Sequence, residues 1–329
     1  MLLFSWRMPY SHGMTTIGKI SLLVILAALF LPPVCTAAFP IGYGFSVSPL
    51  VGFLYGQAEE LVYKDSKTNQ YLSELLWDLK PLIYSGVAAD FGPVDPFGRH
   101  GFISAFSFKL GLPLKAGIME DRDWEHPQYD YQTKYSRHDT YFQIPVVLAD
   151  LSAGYSWRLT NILAVGAYGE LSYMRFSWSG KNGYTQYPED ISRPWSADLP
   201  KESVNGKIIQ YTQNWFILSP GVSLNYNLSS LFSLGGNFSY SPLIYGANKD
   251  EHLQRRITFH DYLYFGHYFN GGGHVTFSPR QKIDFNLSFT YRHITGSRGD
   301  TYVNSVKDDG IAGAGYSVFD FGLMVKFYM

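Results

Sequence analysis

Two short acidic clusters, Asp121-Arg122-Asp123-Trp124 and Asp250-Glu251-His252, carry the side chains best suited to chemistry in this 329-residue chain. Residues two apart on an extended strand point to the same side. Asp121 and Asp123 therefore face together, as do Asp250 and His252. An imidazole whose tautomer is fixed by a carboxylate can take a proton from water near neutral pH, and Asp250 is placed to do this for His252. Two adjacent carboxylates repel, which raises the pKa of one and lets the pair share a proton. Should the clusters meet, a water held between them becomes a nucleophile, and no activated serine or cysteine is required. Either cluster alone reads as solvated surface. A cation site built from Asp121, Asp123, His126 and His252 is the competing account. His126, His138, His260, His267, His274 and His293 show no ligand spacing and read first as satisfied loop or lumen residues.

The elements that must position these groups are strands. Ile283, Phe285, Leu287, Phe289 and Tyr291 interleave with Asp284, Asn286, Ser288, Thr290 and Arg292, a period of two with one greasy and one polar face. The same alternation runs through 218–226, 232–240 and the last stretch, Phe319 to Met329. The connections are lopsided. Tight turns are expected near Arg158 to Asn161, Asn227 to Ser230 and Ser278 to Gln281, against long polar loops from Glu120 to His138, Trp178 to Gly206 and Ser297 to Ile311. Short turns at one end and long loops at the other mark an outer-membrane barrel. The expectation is all-β, a ten-stranded antiparallel transmembrane β-barrel with long extracellular loops, closed by the chain's own C-terminal strand. Trp77, Trp124, Trp157, Trp178 and Tyr173 are expected in the aromatic girdle, with Trp124 also able to wall a cleft beside Asp123.

Composition agrees with this class. Arg7 and Lys19, the apolar run Ile20 to Leu31 and the small residues Cys35-Thr36-Ala37-Ala38 form a signal peptide over 1–38, with the barrel as a single domain over 39–329. The only cysteine, Cys35, falls within that signal, so the mature chain has no disulfide framework. A net charge of −1 offers no field for nucleic acid. Aromatic residues at 17 % beside only 16 % charged, without an apolar run of helical-span length after the signal, exclude a helical membrane protein.

If the N-terminus lies on the periplasmic side, strand parity delivers Asp121 and Asp123 from strand three, and Asp250 and His252 from strand seven, to the same outer rim. In a ten-stranded barrel those strands stand on roughly opposite walls, so the pairs confront each other across a wet cleft.

At these residues the sequence resembles the omptin family of surface endopeptidases, whose catalytic Asp-x-Asp and Asp-x-His pairs match Asp121-Arg122-Asp123 and Asp250-Glu251-His252. Ser73-Glu74-Leu75-Leu76-Trp77, Ser136-Arg137-His138 and Arg256-Ile257-Thr258 resemble further family segments, and the likeness covers nearly the whole mature chain. The resemblance implies hydrolysis of peptide bonds in peptide or protein substrates. Asp121 with His252 would activate water, Asp123 would share the acid pair's proton, and Asp250 would orient His252. Glu60 matches a family acid that receives a basic side chain before the scissile bond. Its partnering position carries Asn248, so one charge is lost, and Lys134 stands where members can carry an acid. Arg175 falls at a lipopolysaccharide-contacting position. No cofactor is implied beyond lipopolysaccharide or another outer-membrane lipid. Two non-enzymatic readings stand beside this one: an adhesin or host-protein receptor, and a pore, which long inward side chains such as Arg292, Lys326 and Tyr328 would fill.

Overall fold

A computed structural model describes residues 42–280 and 282–329; the expected signal peptide and Cys35 lie outside the described residues. Every regular element among the described residues is a strand. The strands close into a ring of ten antiparallel traverses. In chain order these are Tyr43–Tyr63, Tyr71–Pro93, Gly101–Gly111 continued by Lys115–Asp123, Lys134–Phe142 continued by Val146–Arg158, and Leu163–Gln186. Then follow Lys207–Asn227, Phe232–Ser241 continued by Ile244–His252, Ile257–Tyr264 continued by His267–Arg280, Ile283–Val303 and Val306–Tyr328. The tenth traverse pairs with the first, Val47 opposite Phe327 and Leu54 opposite Asp320, so no edge is left open.

The alternation seen in the sequence sorts the two faces. Phe53, Leu151, Leu218, Phe238, Leu287 and Phe321 point outward and are exposed, an apolar belt that only lipid would cover. The inward residues of the same strands are mixed, polar at Ser46, Ser48, Asp284 and Asp320 and apolar or aromatic at Leu54, Ile217 and Tyr316. At 21 to 24 residues, the six uninterrupted traverses are about twice the ~9–11 residues a tilted strand needs to cross a bilayer. Their upper halves therefore project beyond the belt. The two longest connections, 124–133 and 187–206, both lie at that projecting loop end together with 64–70, while the seven-residue 94–100 lies at the other.

Three expectations about connections change, the first being the loop from Glu120 to His138, which narrows to 124–133 because strands run to Asp123 and resume at Lys134. Ser297 to Ile311 is not a loop: strand pairing continues to Val303 opposite Val306. Asn304 and Ser305 both hold positive φ, at 49° and 69°, the conformation of a two-residue hairpin turn matched to strand twist. The fifth traverse likewise runs past Trp178 to Gln186, so the following loop begins at 187.

Prolines divide several traverses at mid-height. Leu54 faces Leu82 but Gly56 faces Leu79, so Lys80–Pro81 bulges, and the inward set changes from Leu82, Tyr84 and Ala88 below to Leu75, Trp77 and Leu79 above. Trp77 consequently points into the lumen. Trp178 joins it there from the fifth traverse, in step with inward Met174 and Phe176. Neither belongs to the girdle. Trp157, exposed, and Tyr173, packed outside on Phe216 at 4.8 Å, do fit it.

Inside, the lumen is filled in two layers. The lower is ionic: Arg292 to Asp150 at 2.8 Å, Lys109 to Asp320 at 2.5 Å and Lys326 to Asp90 at 3.0 Å. Tyr84 donates to Asp320, and Tyr328 donates to Asp284. Above lies an aromatic floor in which Trp77, Trp178 and Tyr211 stack with ring centroids 5.4 to 6.0 Å apart. Gln213 ties it across the lumen, donating to the carbonyls of Glu59 and Gly315.

Candidate active site

A cavity of about 520 Å³ sits on this floor at the loop end. It is lined by Asp121, Asp123, Asp250, His252 and Glu60 together with Ser73, Ser136, His138, Tyr187, Arg255 and Asp261. The two clusters expected to meet therefore share one cleft. Asp121 and Asp123 reach it from the third traverse, Asp250 and His252 from the seventh, and both pairs sit well above the apolar belt.

The histidine–aspartate pair is made. His252 Nε2 lies 2.6 Å from Asp250 Oδ2, the aspartate buried and the imidazole a quarter exposed to the cleft. Phe259 holds the ring edge-on at 5.5 Å between centroids. Asp250 Oδ1 is buried without a hydrogen-bond partner. On the facing wall Asp121 accepts from Ser73 Oγ at 3.2 Å and, more weakly, from Ser136 Oγ at 3.4 Å.

Burial above an aromatic floor disfavours charge. It pushes the Asp121 carboxyl well above the usual aspartate range, with Asp123 repelling it further and Ser73 opposing. Burial also lifts Asp123 to about 6, against the same Ser73 hydroxyl. Asp250 is raised by burial and held back by His252. The acid pair can thus hold a proton near neutral pH, as two close carboxylates in a dry site should.

The alternative cation set does not assemble. His126 sits in the 124–133 loop, its Nδ1 accepting the amides of Gln128 and Tyr129, and it does not line the cleft. Among the described residues no group of three or more histidine, cysteine or carboxylate side chains is gathered to hold a metal ion.

Other expected residues are placed as follows. Glu60 lies in the cleft, buried, with Oε2 unpartnered. Asn248 faces inward but beneath the cavity lining. Its Oδ1 accepts the Asn214 amide at 3.2 Å, and its Nδ2 donates to the Tyr211 hydroxyl at 3.3 Å. Lys134 pairs with Glu125 at 2.5 Å. Trp124 packs against Tyr71 and does not wall the cleft. Arg175 is on the outer face, half-buried, donating to Asn214 Oδ1 at 2.9 Å beside Tyr173.

Sequence reasoning missed three contributors. Ser73 is a lone hydroxyl whose role appears only through its pairing with Asp123 across the sheet. His138 is satisfied, as expected, with Nδ1 2.6 Å from the Asn182 carbonyl and Nε2 3.2 Å from Ser136 Oγ, but it also lines the cleft. Asp261 lies directly opposite Asn248 on the neighbouring strand. Only the strand register could have revealed it.

A closed barrel with a greasy outer belt, a filled lumen and a carboxylate-lined cleft at its loop end is an outer-membrane barrel built around a site rather than a channel. The Omptin family model matches residues 41–318, and the chain belongs to that family of outer-membrane surface proteases. It is 25 % identical over 264 residues to the plasminogen activator of Yersinia pestis, covering 78 % of each chain. It is 26 % identical over 272 residues to the outer membrane protease OmpP of Escherichia coli strain K12, covering 79 % of this chain and 80 % of that protein. In fold it is similar to the crystal structure of the outer membrane protease OmpT from Escherichia coli, with a TM-score of 0.73 at 20 % identity over 87 % of this chain and 97 % of that one.

Proposed function

We propose that the protein is an endopeptidase whose cleft opens outside the cell and cleaves peptides or exposed protein loops beside basic residues, with water as the nucleophile. The observation that carries this reading is the 2.6 Å His252–Asp250 pair in one cleft with Asp121 and Asp123. With Nε2–H donating to Asp250, the base of the neutral ring is Nδ1. A water held between His252 and Asp121 attacks the scissile carbonyl carbon as His252 takes its proton. The tetrahedral intermediate collapses, the C–N bond breaks, and the imidazolium returns the proton to the leaving amine. Asp123 shares the single proton of the acid pair, so that one carboxylate can accept from the water while mutual repulsion is contained. Asp250 orients the ring and stabilises its cation.

Glu60, buried and unpartnered in the same cleft, supports a basic side chain on the amino side of the bond. Arg175 with Asn214 and Tyr173, at the upper margin of the belt, supports a contact with lipopolysaccharide phosphate on the outer wall.

The test is cleavage of arginine- and lysine-containing peptides by refolded protein, with and without lipopolysaccharide. Asp121→Ala and His252→Ala should each lower the rate by several orders of magnitude, non-additively in combination. Absence of cleavage by the wild type, or equal cleavage by either variant, sinks the assignment. A rate indifferent to lipopolysaccharide removes the lipid contact alone.

A further inference from the structure

The cleft holds more carboxylate than the water chemistry uses. Besides Asp121, Asp123 and Asp250, it is lined by Glu60 and Asp261, both buried. Asp261 comes from the eighth traverse, where it faces Asn248 across the ladder. Thr301 of the ninth traverse lies opposite it on the other side, and the nearest influential charge is the like charge of Asp250. Glu60 in turn feels Asp250, Asp261 and Asp121, all of its own sign. Neither Glu60 nor Asp261 takes part in any ion pair among the described residues.

An acid this buried without a counter-charge is costly, and folding gains nothing visible from it. A cationic ligand removes the cost. Lower in the lumen Lys109, Arg292 and Lys326 each neutralise an acid, and the unpaired acids there, Asp284 and Glu170, are held by the donors Tyr328 and Asn270.

We infer that Asp261 is the second acid of the subsite that holds the substrate's basic side chain, gripping the guanidinium or ammonium together with Glu60 from across the cleft. This rests on the reading of Glu60 as a substrate-binding acid. Residues directly opposite on antiparallel strands have Cα atoms only about 4.5–5.5 Å apart. Moving the carboxylate from position 248 to position 261 therefore shifts the charge sideways by one strand at the same height. The charge that the sequence withholds at Asn248 is supplied by its neighbour. Asn248 is occupied instead in fixing the floor through Tyr211 and Asn214. A planar guanidinium suits two carboxylates approaching from different walls, because it offers donors along more than one edge.

The experiment compares two peptides identical except for arginine or its neutral isostere citrulline before the scissile bond. Kinetics are measured with wild type, Glu60→Gln, Asp261→Asn, Asp261→Ser and the exchanged double variant Asn248→Asp/Asp261→Asn. The expected result is that the arginine-over-citrulline preference in kcat/KM falls roughly ten- to a hundredfold in the Asp261 variants, the scale of one charge-assisted hydrogen bond. The exchanged double variant should regain a substantial part of that preference. A wild-type preference left intact by both Asp261 substitutions overturns the inference and leaves the protease reading standing. Equal losses on both peptides, or failure of both variants to fold, would make Asp261 structural and overturn it also. A wild type that cleaves neither peptide removes the protease reading, and this inference with it.

Discussion

At the scale of single residues, one hydroxyl governs the acid pair. Ser73 donates to Asp121 and opposes, in both Asp121 and Asp123, the upward push of burial. A donor to a carboxylate favours its charged form. Removing it in Ser73→Ala should therefore raise the pKa values of the pair above the present value of about 6 for Asp123. The working pair keeps one negative charge and loses it as pH falls through the lower of its two titrations. The acid limb of the kcat/KM profile should thus move to higher pH in Ser73→Ala, while the rate on the plateau changes less. A pH–rate profile of the two proteins checks this. An acid limb unmoved, or moved to lower pH, would mean that the pair does not set it. Asp121, Asp123, Asp250 and His252 were legible as candidates because their spacing of two is visible in the chain itself. Ser73 and Asp261 were not, because each acts through a partner on another strand.

At the scale of elements, what could be read and what could not divides at the membrane surface. Within the belt each strand has one lipid-facing and one inward face, so composition alternates, and 283–291 or 319–329 declare their orientation outright. Above the belt both faces can be wet and the alternation lapses. Ser297 to Ile311 therefore looks like a loop while being two strands joined by Asn304–Ser305. The bulge at Lys80–Pro81 explains Trp77 in the same terms, since parity extrapolated from below places it outside. These projecting strands need ties of their own. Arg298 provides one, stacking on Tyr63 at 3.8 Å and donating to the carbonyls of Gly310, Thr68 and Asp65. It staples the 64–70 loop onto the ninth and tenth traverses. In Arg298→Ala, amide exchange across 64–70 should quicken roughly tenfold or more, since losing even ~1.5 kcal/mol of charge-assisted bonding has that effect. Exchange in the belt should stay unchanged. Hydrogen exchange read by mass spectrometry would settle it, and unaltered protection of 64–70 would show that other contacts hold the loop.

At the scale of the whole molecule, the barrel is layered along its axis: ion pairs in the lower lumen, an aromatic floor, and an acidic cleft. The order has a physical logic. The floor withholds bulk water from below and so raises the carboxylates above it, while ion pairs match the charges of Asp90, Asp150 and Asp320 in the lower lumen. Arg292 is central to the lower layer, with Nη1 and Nη2 3.1 and 2.8 Å from the two oxygens of Asp150. Removing one member of such a pair strands the other, at a cost of roughly 3–5 kcal/mol, whereas replacing both by apolar side chains of similar size can be neutral. Arg292→Met should accordingly lower the thermal midpoint in detergent, and Arg292→Met/Asp150→Leu should recover most of the loss. Neither should conduct like a porin in a planar bilayer, because Trp77, Trp178 and Tyr211 still close the lumen above. A large conductance in either variant would show that the ionic layer, and not the aromatic one, is the seal. The cleft would then owe its dryness to the salt bridges beneath it, and loss of Arg292 should lower the pKa values of the acid pair as water enters.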